Sequence, residues 1–204
     1  PLVLAKESCR IEIDVLKEPI GIQDQYAASY GGVAKYTISK SGKVRRFSIP
    51  NYEDFSRIVK ENFVLVRVKG NRDLSKIMNQ QKNNLAVGKS EGVLNELNAL
   101  GANSFDIVKA GPKEIGESLK YAWTLKKKLA RSISNPILDG LVDEYMKTGF
   151  YGAKLLGAGS SGYLLLVGPK KLVNQIKASP KIHNLTISCV KNGSDIIYNS
   201  NLQT

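Results

Sequence analysis

The order of hydrophobic and polar positions predicts short strands set around a helical middle. In residues 2–17, Leu2, Ala5, Cys9, Ile13 and Leu16 fall at helical spacing, with Glu7, Arg10, Asp14 and Lys17 opposite them. Cys9, Ile11, Ile13 and Val15 also alternate as a strand would; length and an Arg10/Asp14 pair favour the helix, with Pro1 at its first position. Residues 33–38 and 44–49 read as strands joined by the turn Lys40-Ser41-Gly42-Lys43. A break at Pro50-Asn51-Tyr52-Glu53-Asp54 precedes Phe63–Val68, an apolar run suited to a buried strand. Helical spacing then returns at Leu74, Ile77 and Met78, at Val93, Leu94 and Leu97, and at Ile115, Leu119 and Ala122. It appears again in residues 137–147, after Asn135-Pro136. Strands at 153–156 and 163–167 flank a glycine-rich turn, and a helix is predicted over 170–178. Residues 186–190 and 196–198 predict a hairpin around Asn192-Gly193. Strands framing helices predict an α+β architecture, with a domain boundary between about residues 50 and 60.

Composition narrows the function classes. A chain of 204 residues with 42% hydrophobic and 24% charged residues can bury a real core in one large or two small domains. The longest apolar run, 163–167, is far too short to span a bilayer, and residues 1–5 lack the features of a signal peptide. Cys9 and Cys189 make no disulfide framework, which predicts a reducing, cytoplasmic setting. His183 is the one histidine, so no Cys/His metal cluster is expected. The net charge of +12 predicts a polyanionic partner: nucleic acid, a phosphorylated metabolite or an anionic surface. A basic nucleic-acid-binding module is one reading, but aromatics and lysines do not interleave as a base-stacking surface would. Pro1 stands where a native chain begins with Met, which suggests a processed or partial polypeptide.

Two stretches carry candidate chemistry. Gly21-Ile22-Gln23-Asp24-Gln25-Tyr26-Ala27-Ala28-Ser29-Tyr30-Gly31-Gly32 sets one carboxylate between two amides and closes on a glycine pair. Asp24 is the one acid in it, and Gln23 and Gln25 can orient that acid or a bound ligand. By composition the same run serves equally as a loop between a helix and a strand. The second stretch, Gly157-Ala158-Gly159-Ser160-Ser161-Gly162, can wrap a ligand with backbone N–H groups or simply connect two strands. Its glycines match G-x-G-x-x-G numerically, but no long helix follows as a dinucleotide fold requires.

With these stretches in hand, the sequence resembles the GHMP kinases. The segment Glu18-Pro19-Ile20-Gly21 running into the Asp24 stretch resembles the branch acting on D-glycero-D-manno-heptose 7-phosphate. Lys154-Leu155-Leu156-Gly157-Ala158-Gly159-Ser160-Ser161-Gly162-Tyr163 resembles that family's C-terminal glycine-rich motif. Trp123-Thr124-Leu125-Lys126-Lys127 and Ile133-Ser134-Asn135-Pro136 fit the same branch. The similarity runs over about residues 1–198. It implies a remainder of the family's N-terminal domain, a helix plus short strands, over 1–55. Residues 56–204 are then expected to form the family's C-terminal domain, with a ferredoxin-like antiparallel sheet and helices.

The resemblance also implies an ATP-dependent kinase acting on a phosphorylated sugar. Asp24 is its expected catalytic base, and Gln23, Gln25, Tyr26, Arg72, Lys126 and Lys127 are expected on the substrate side. Lys154, Gly157, Ala158, Gly159, Ser160, Ser161 and Gly162 are expected at the nucleotide phosphates. Arg72 sits one residue closer to Gly70 than the family's spacing, and serines stand at 160 and 161 where the family usually has glycine. If those positions need positive φ, serine carries a steric cost. The family's phosphate loop and magnesium ligands have no counterpart before residue 21. ATP and Mg2+ are therefore expected to bind mainly through an absent N-terminal part; that part, or another copy, is the expected protein partner, and this chain alone is expected to be inactive.

Overall fold

The computed structural model describes residues 1–70 and 74–195. The chain is α+β and divides into two compact units, Pro1–Tyr52 with Cys189–Thr204, and Glu53–Ser188.

In the first unit, helix α1 (Leu2–Cys9) continues through a widened π turn, Arg10–Val15, so the stretch with two possible periods is helical throughout. Arg10 supports that choice by pairing with Glu7, 2.6 Å away, and not with Asp14. Lys17 at φ +59° ends the run, and α2 (Gln23–Tyr30) packs against α1. Strands β1 (Ala34–Ile38) and β2 (Val44–Ser48) form an antiparallel hairpin in which Tyr36 faces Arg46.

The Asn192-Gly193 signal has a different use from the expected hairpin. Residues 186–190 are not a strand, and 196–198 lie outside the described residues. The run around Asn192 instead lies along the end of α2. Gly32 N–H donates to Val190 at 2.9 Å and Ser194 N–H to Ala28 at 3.1 Å. A Cβ at Gly31 would overlap the Asn192–Gly193 peptide, and one at Gly193 would overlap the Ser29 carbonyl. Both glycines are there because two backbones touch.

The second unit opens with α3 (Tyr52–Asn62) and the strand β3 (Phe63–Val68). Four helices follow: α4 (Leu74–Ala86), α5 (Glu91–Ala102), α6 (Ser104–Ala110) and α7 (Pro112–Leu129). A short 3-10 turn, Arg131–Ile133, leads to α8 (Pro136–Lys147). Strands β4 (Gly152–Leu155) and β5 (Gly162–Val167), helix α9 (Lys170–Ala178) and the short β6 (Asn184–Leu185) complete it. The sheet is antiparallel in the order β4-β5-β3-β6, the ferredoxin-like interleaving in which the first and third strands are central. Its buried face carries Val64, Val66 and Val68 from β3, Leu164 and Leu166 from β5, and Ala153 and Leu155 from β4. Trp123, Ile133, Leu138 and Val173 join that core. α7 lies against β4 at backbone distance, because a Cβ on Gly152 would overlap the Gly116 peptide. Among the described residues no helix is long and apolar enough to cross a membrane.

Candidate active site

Each unit holds one of the candidate stretches. In the first, Ile22 caps α2 without a side-chain bond, which places Asp24 in the opening turn. Its carboxylate is exposed and has no hydrogen bond or ion pair among the described residues. The helical turn sends its neighbours inward: Gln25, Tyr26 and Ser29 are buried. Gln25 Nε2 donates to Glu12 at 2.9 Å, while its Oε1 is buried without a partner. The Tyr26 ring stacks on Tyr30 at 6.3 Å and meets Tyr36 edge-on at 6.4 Å, and burial raises its phenol above the ordinary range. Gln25 and Tyr26 therefore tie α2 to its own unit, and Gln23 remains beside Asp24 at the surface.

Arg46, which the sequence does not single out, holds the end of this helix. It donates to the Gly31 carbonyl at 3.0 Å and to Ser48 at 2.6 Å, and its guanidinium lies 5.6 Å from the Tyr30 ring centre. A cation at a helix C-terminus offsets the unpaired carbonyls there. Only the β1–β2 register brings it to that place, so no local motif announces it.

In the second unit the glycine-rich turn connects β4 to β5 through four positive φ values: Gly157 at +75°, Gly159 at +135°, Ser160 at +67° and Gly162 at +126°. Ser160 thus occupies the left-handed region that the sequence flagged as costly for a serine, whereas Ser161 does not. The turn is anchored to the segment before α8. Ser160 N–H donates to the Ile133 carbonyl at 2.9 Å, and Asn135 Nδ2 to the Ser160 carbonyl at 3.4 Å. Asn135 also caps α8, its Oδ1 accepting from Leu138 N–H at 2.9 Å. Ser161 N–H is spent on the Gly159 carbonyl at 2.8 Å. The N–H groups of Gly157, Ala158 and Gly159 donate to nothing among the described residues. Of these, Gly157 is exposed, Ala158 partly exposed and Gly159 buried, and successive unpaired N–H groups of this kind are the donors an anion uses.

The lysines divide by environment. Lys126 reaches back from α7 to the Gly157 carbonyl and so braces the turn. Lys127 pairs with Asp139 at 2.9 Å, and Asp139 also accepts from the Ser134 hydroxyl at 2.9 Å. Lys154 on β4 is half-buried with no partner among the described residues, and desolvation lowers its ammonium below the ordinary Lys range. Arg72 lies outside the described residues. Among the described residues no three His, Cys, Asp or Glu side chains gather as a metal site.

No family model matches the chain. A D-glycero-alpha-D-manno-heptose 7-phosphate kinase from Campylobacter jejuni is 28% identical over 189 residues, covering 86% of this chain and 53% of the relative. This chain therefore spans about half the length of that curated relative. Among solved structures, the Methanococcus jannaschii mevalonate kinase superposes with a TM-score of 0.64 at 21% identity, over 91% of this chain and 55% of that one. A D-glycero-D-manno-heptose 1-phosphate kinase from Bacteroides thetaiotaomicron gives 0.60 at 17% identity, over 93% and 52%. At those identities the superpositions establish the fold alone.

Proposed function

We infer that this chain belongs to the GHMP kinase family and provides the hydroxyl-activating carboxylate and a phosphate-facing turn of an ATP-dependent sugar kinase, a reading supported by its likeness to the Campylobacter jejuni relative. Its acceptor in this reading is a phosphorylated sugar, a heptose 7-phosphate, the substrate named for the Campylobacter jejuni relative. The observation that carries the reading is the turn between β4 and β5, with N–H groups free at Gly157, Ala158 and Gly159.

Phosphoryl transfer asks a protein to position the acceptor and to offset charge on the phosphoryl oxygens, with little covalent chemistry of its own. Backbone donors fixed by Ile133 and Asn135 are already oriented and need no rearrangement as charge develops. Lys154, on the strand entering the turn, adds a cation that protein surroundings leave without a counter-ion. A nucleotide polyphosphate suits that donor set. Asp24, exposed and unbonded, is available to accept the acceptor hydroxyl's proton, and Gln23 beside it is available for a sugar hydroxyl. Magnesium would accompany the nucleotide, and no step is assigned to it on this chain's side chains. In this reading residues 1–55 are the end of the family's N-terminal domain and 56–204 its C-terminal domain.

The test is ADP release with heptose 7-phosphate in the full-length polypeptide and in the 204-residue chain alone. We expect turnover in the former and none in the latter. Asp24→Asn in the full-length protein should lower kcat by about 10²–10⁴ while leaving the thermal transition in place. Full activity in that variant would remove Asp24 from the reaction. Absence of phosphate transfer from the full-length protein to any sugar phosphate would remove the kinase reading.

A further inference from the structure

We propose that the end of β3 and the start of β5 form a subsite for a dianionic phosphate monoester, the phosphate already carried by the acceptor sugar, gripped by Arg67 and Lys69. The proposal rests on the kinase reading for the identity of the ligand; its groove shares Ser161 and Gly162 with the glycine-rich turn but draws its charge from β3 and not from the N–H groups at 157–159.

A groove of about 480 Å³ opens at this end of the sheet. That lies within the range of about 300–1,000 Å³ usual for small-molecule sites. Strand alternation explains its chemistry. Val66 and Val68 point into the core, so Arg67 projects from the opposite face; Lys69, just past the strand, lines the same groove, and both are exposed. Arg67 lies opposite Tyr163 and Val68 opposite Gly162 in the β3–β5 register, which brings the phenol and the small residue beside the two cations. Gly70 continues the wall next to Ser161. A Cβ at Gly70 would lie 3.1 Å from the Ser161 Cβ, so a larger residue would crowd this corner.

The charge balance distinguishes this groove from a larger one in the same unit. Among the described residues its lining holds two cations and no carboxylate. Neither Arg67 nor Lys69 has a side-chain hydrogen bond or ion pair among the described residues, so the positive charge is not cancelled from within. The larger groove beside α3 and α9, about 660 Å³, carries both signs: Glu53 and Glu61 line it with the lysines, and Lys170 is paired with Glu61 at 2.9 Å. A site of the first kind selects an anion, while the second is already compensated. An arginine fork and a lysine point charge together match the oxygens of a terminal phosphate, and the Tyr163 hydroxyl can donate to a sugar oxygen or the ester bridge.

The measurement is calorimetric titration of the 204-residue chain with D-mannose 6-phosphate, D-mannose and ADP. It is repeated on Arg67→Gln/Lys69→Gln and on Lys170→Gln as a control for lost charge. Binding of mannose 6-phosphate but not mannose, weakened about 10–100-fold in the double variant and unchanged in Lys170→Gln, is the expected result. ADP should not displace the sugar phosphate. Any of three results overturns the assignment: no sugar-phosphate binding to the unaltered chain, equal affinity in the double variant, or competition by ADP, which would make this a nucleotide site. Because the readout is binding, a full-length protein that transfers no phosphate while its Arg67 and Lys69 still hold mannose 6-phosphate would end the kinase reading and leave the subsite standing.

Discussion

Replacing Gly159 with alanine tests how the glycine-rich turn is held. At φ +135° an L-residue is strained by about 1–3 kcal/mol. The added Cβ would also stand 2.7 Å from the Ile133 carbonyl oxygen and 2.8 Å from its Cα, against an ordinary contact of 3.4 Å or more. Relieving that overlap means separating the turn from Ile133 by about 0.7 Å, estimated from the ordinary contact distance. The same separation would stretch the Ser160 N–H bond to Ile133 from 2.9 Å out of hydrogen-bonding range. Losing that bond costs about 0.5–1.5 kcal/mol more. Alanine returns about 0.4–1 kcal/mol by restricting the unfolded chain. The net destabilisation should be near 2 kcal/mol, within a range of about 0.5–4. Trp123 is the only tryptophan and is 2% exposed in the core of the second unit, so its fluorescence in urea reports that unit directly. With a slope of about 1–3 kcal/mol/M, the midpoint should fall by about 1 M. Ser160→Gly, one residue on, supplies the contrast. It relieves a left-handed serine worth about 1 kcal/mol and adds a similar unfolded-state cost, so its midpoint should hardly move. Equal midpoints for Gly159→Ala and the unaltered chain would refute the argument that Ile133 anchors the turn.

Two further expectations follow from the same unit. Lys154 is lowered from the ordinary value of 10.5 by burial, so the unfolded chain binds its proton more tightly. Stability should therefore rise with pH between its lowered value and 10.5, and the cost should be fully present below that window. Lys154→Met should be more stable than the parent at pH 7 and lose the alkaline rise, as urea midpoints at pH 7 and 10 would show; an unchanged rise would place it elsewhere. Asn135→Ala removes both the α8 cap and the bond to the Ser160 carbonyl. It should cost about 1–2 kcal/mol by the same fluorescence readout, and a loss below a few tenths would mean neither bond contributes.

How far the sequence could be read depended on whether a feature is local. Phe63–Val68 was legible because both its valine-rich pattern and its length are properties of one segment, and the sheet then buried three of those residues on one face. Asp24 stood out because it is the one acid between two amides, and its side chain is exposed and unbonded among the described residues. The inward turn of Gln25 and Tyr26 was not legible. It depends on Glu12 and Tyr36, which reach them from another helix and a strand. Arg46 was missed for the same reason, because its contact with the Gly31 carbonyl is set by hairpin register.

Glycine shows the limit most clearly, since a glycine in a sequence marks a demand of the backbone without saying which demand. Asn192-Gly193 has the composition of a tight hairpin turn, yet Gly193 is not at positive φ; the Ser29 carbonyl occupies the space where a Cβ would go. Ser160 is the converse. It takes a positive φ that glycine would adopt more cheaply, and it is held there by Ile133 and Asn135, more than twenty residues earlier. A local rule predicted the cost at Ser160 correctly and could not predict what offsets it. The offset also divides the turn: the segment before α8 engages the N–H and carbonyl of Ser160, while the N–H groups of Gly157, Ala158 and Gly159 have no acceptor among the described residues and are the donors that the proposed phosphate contact would use.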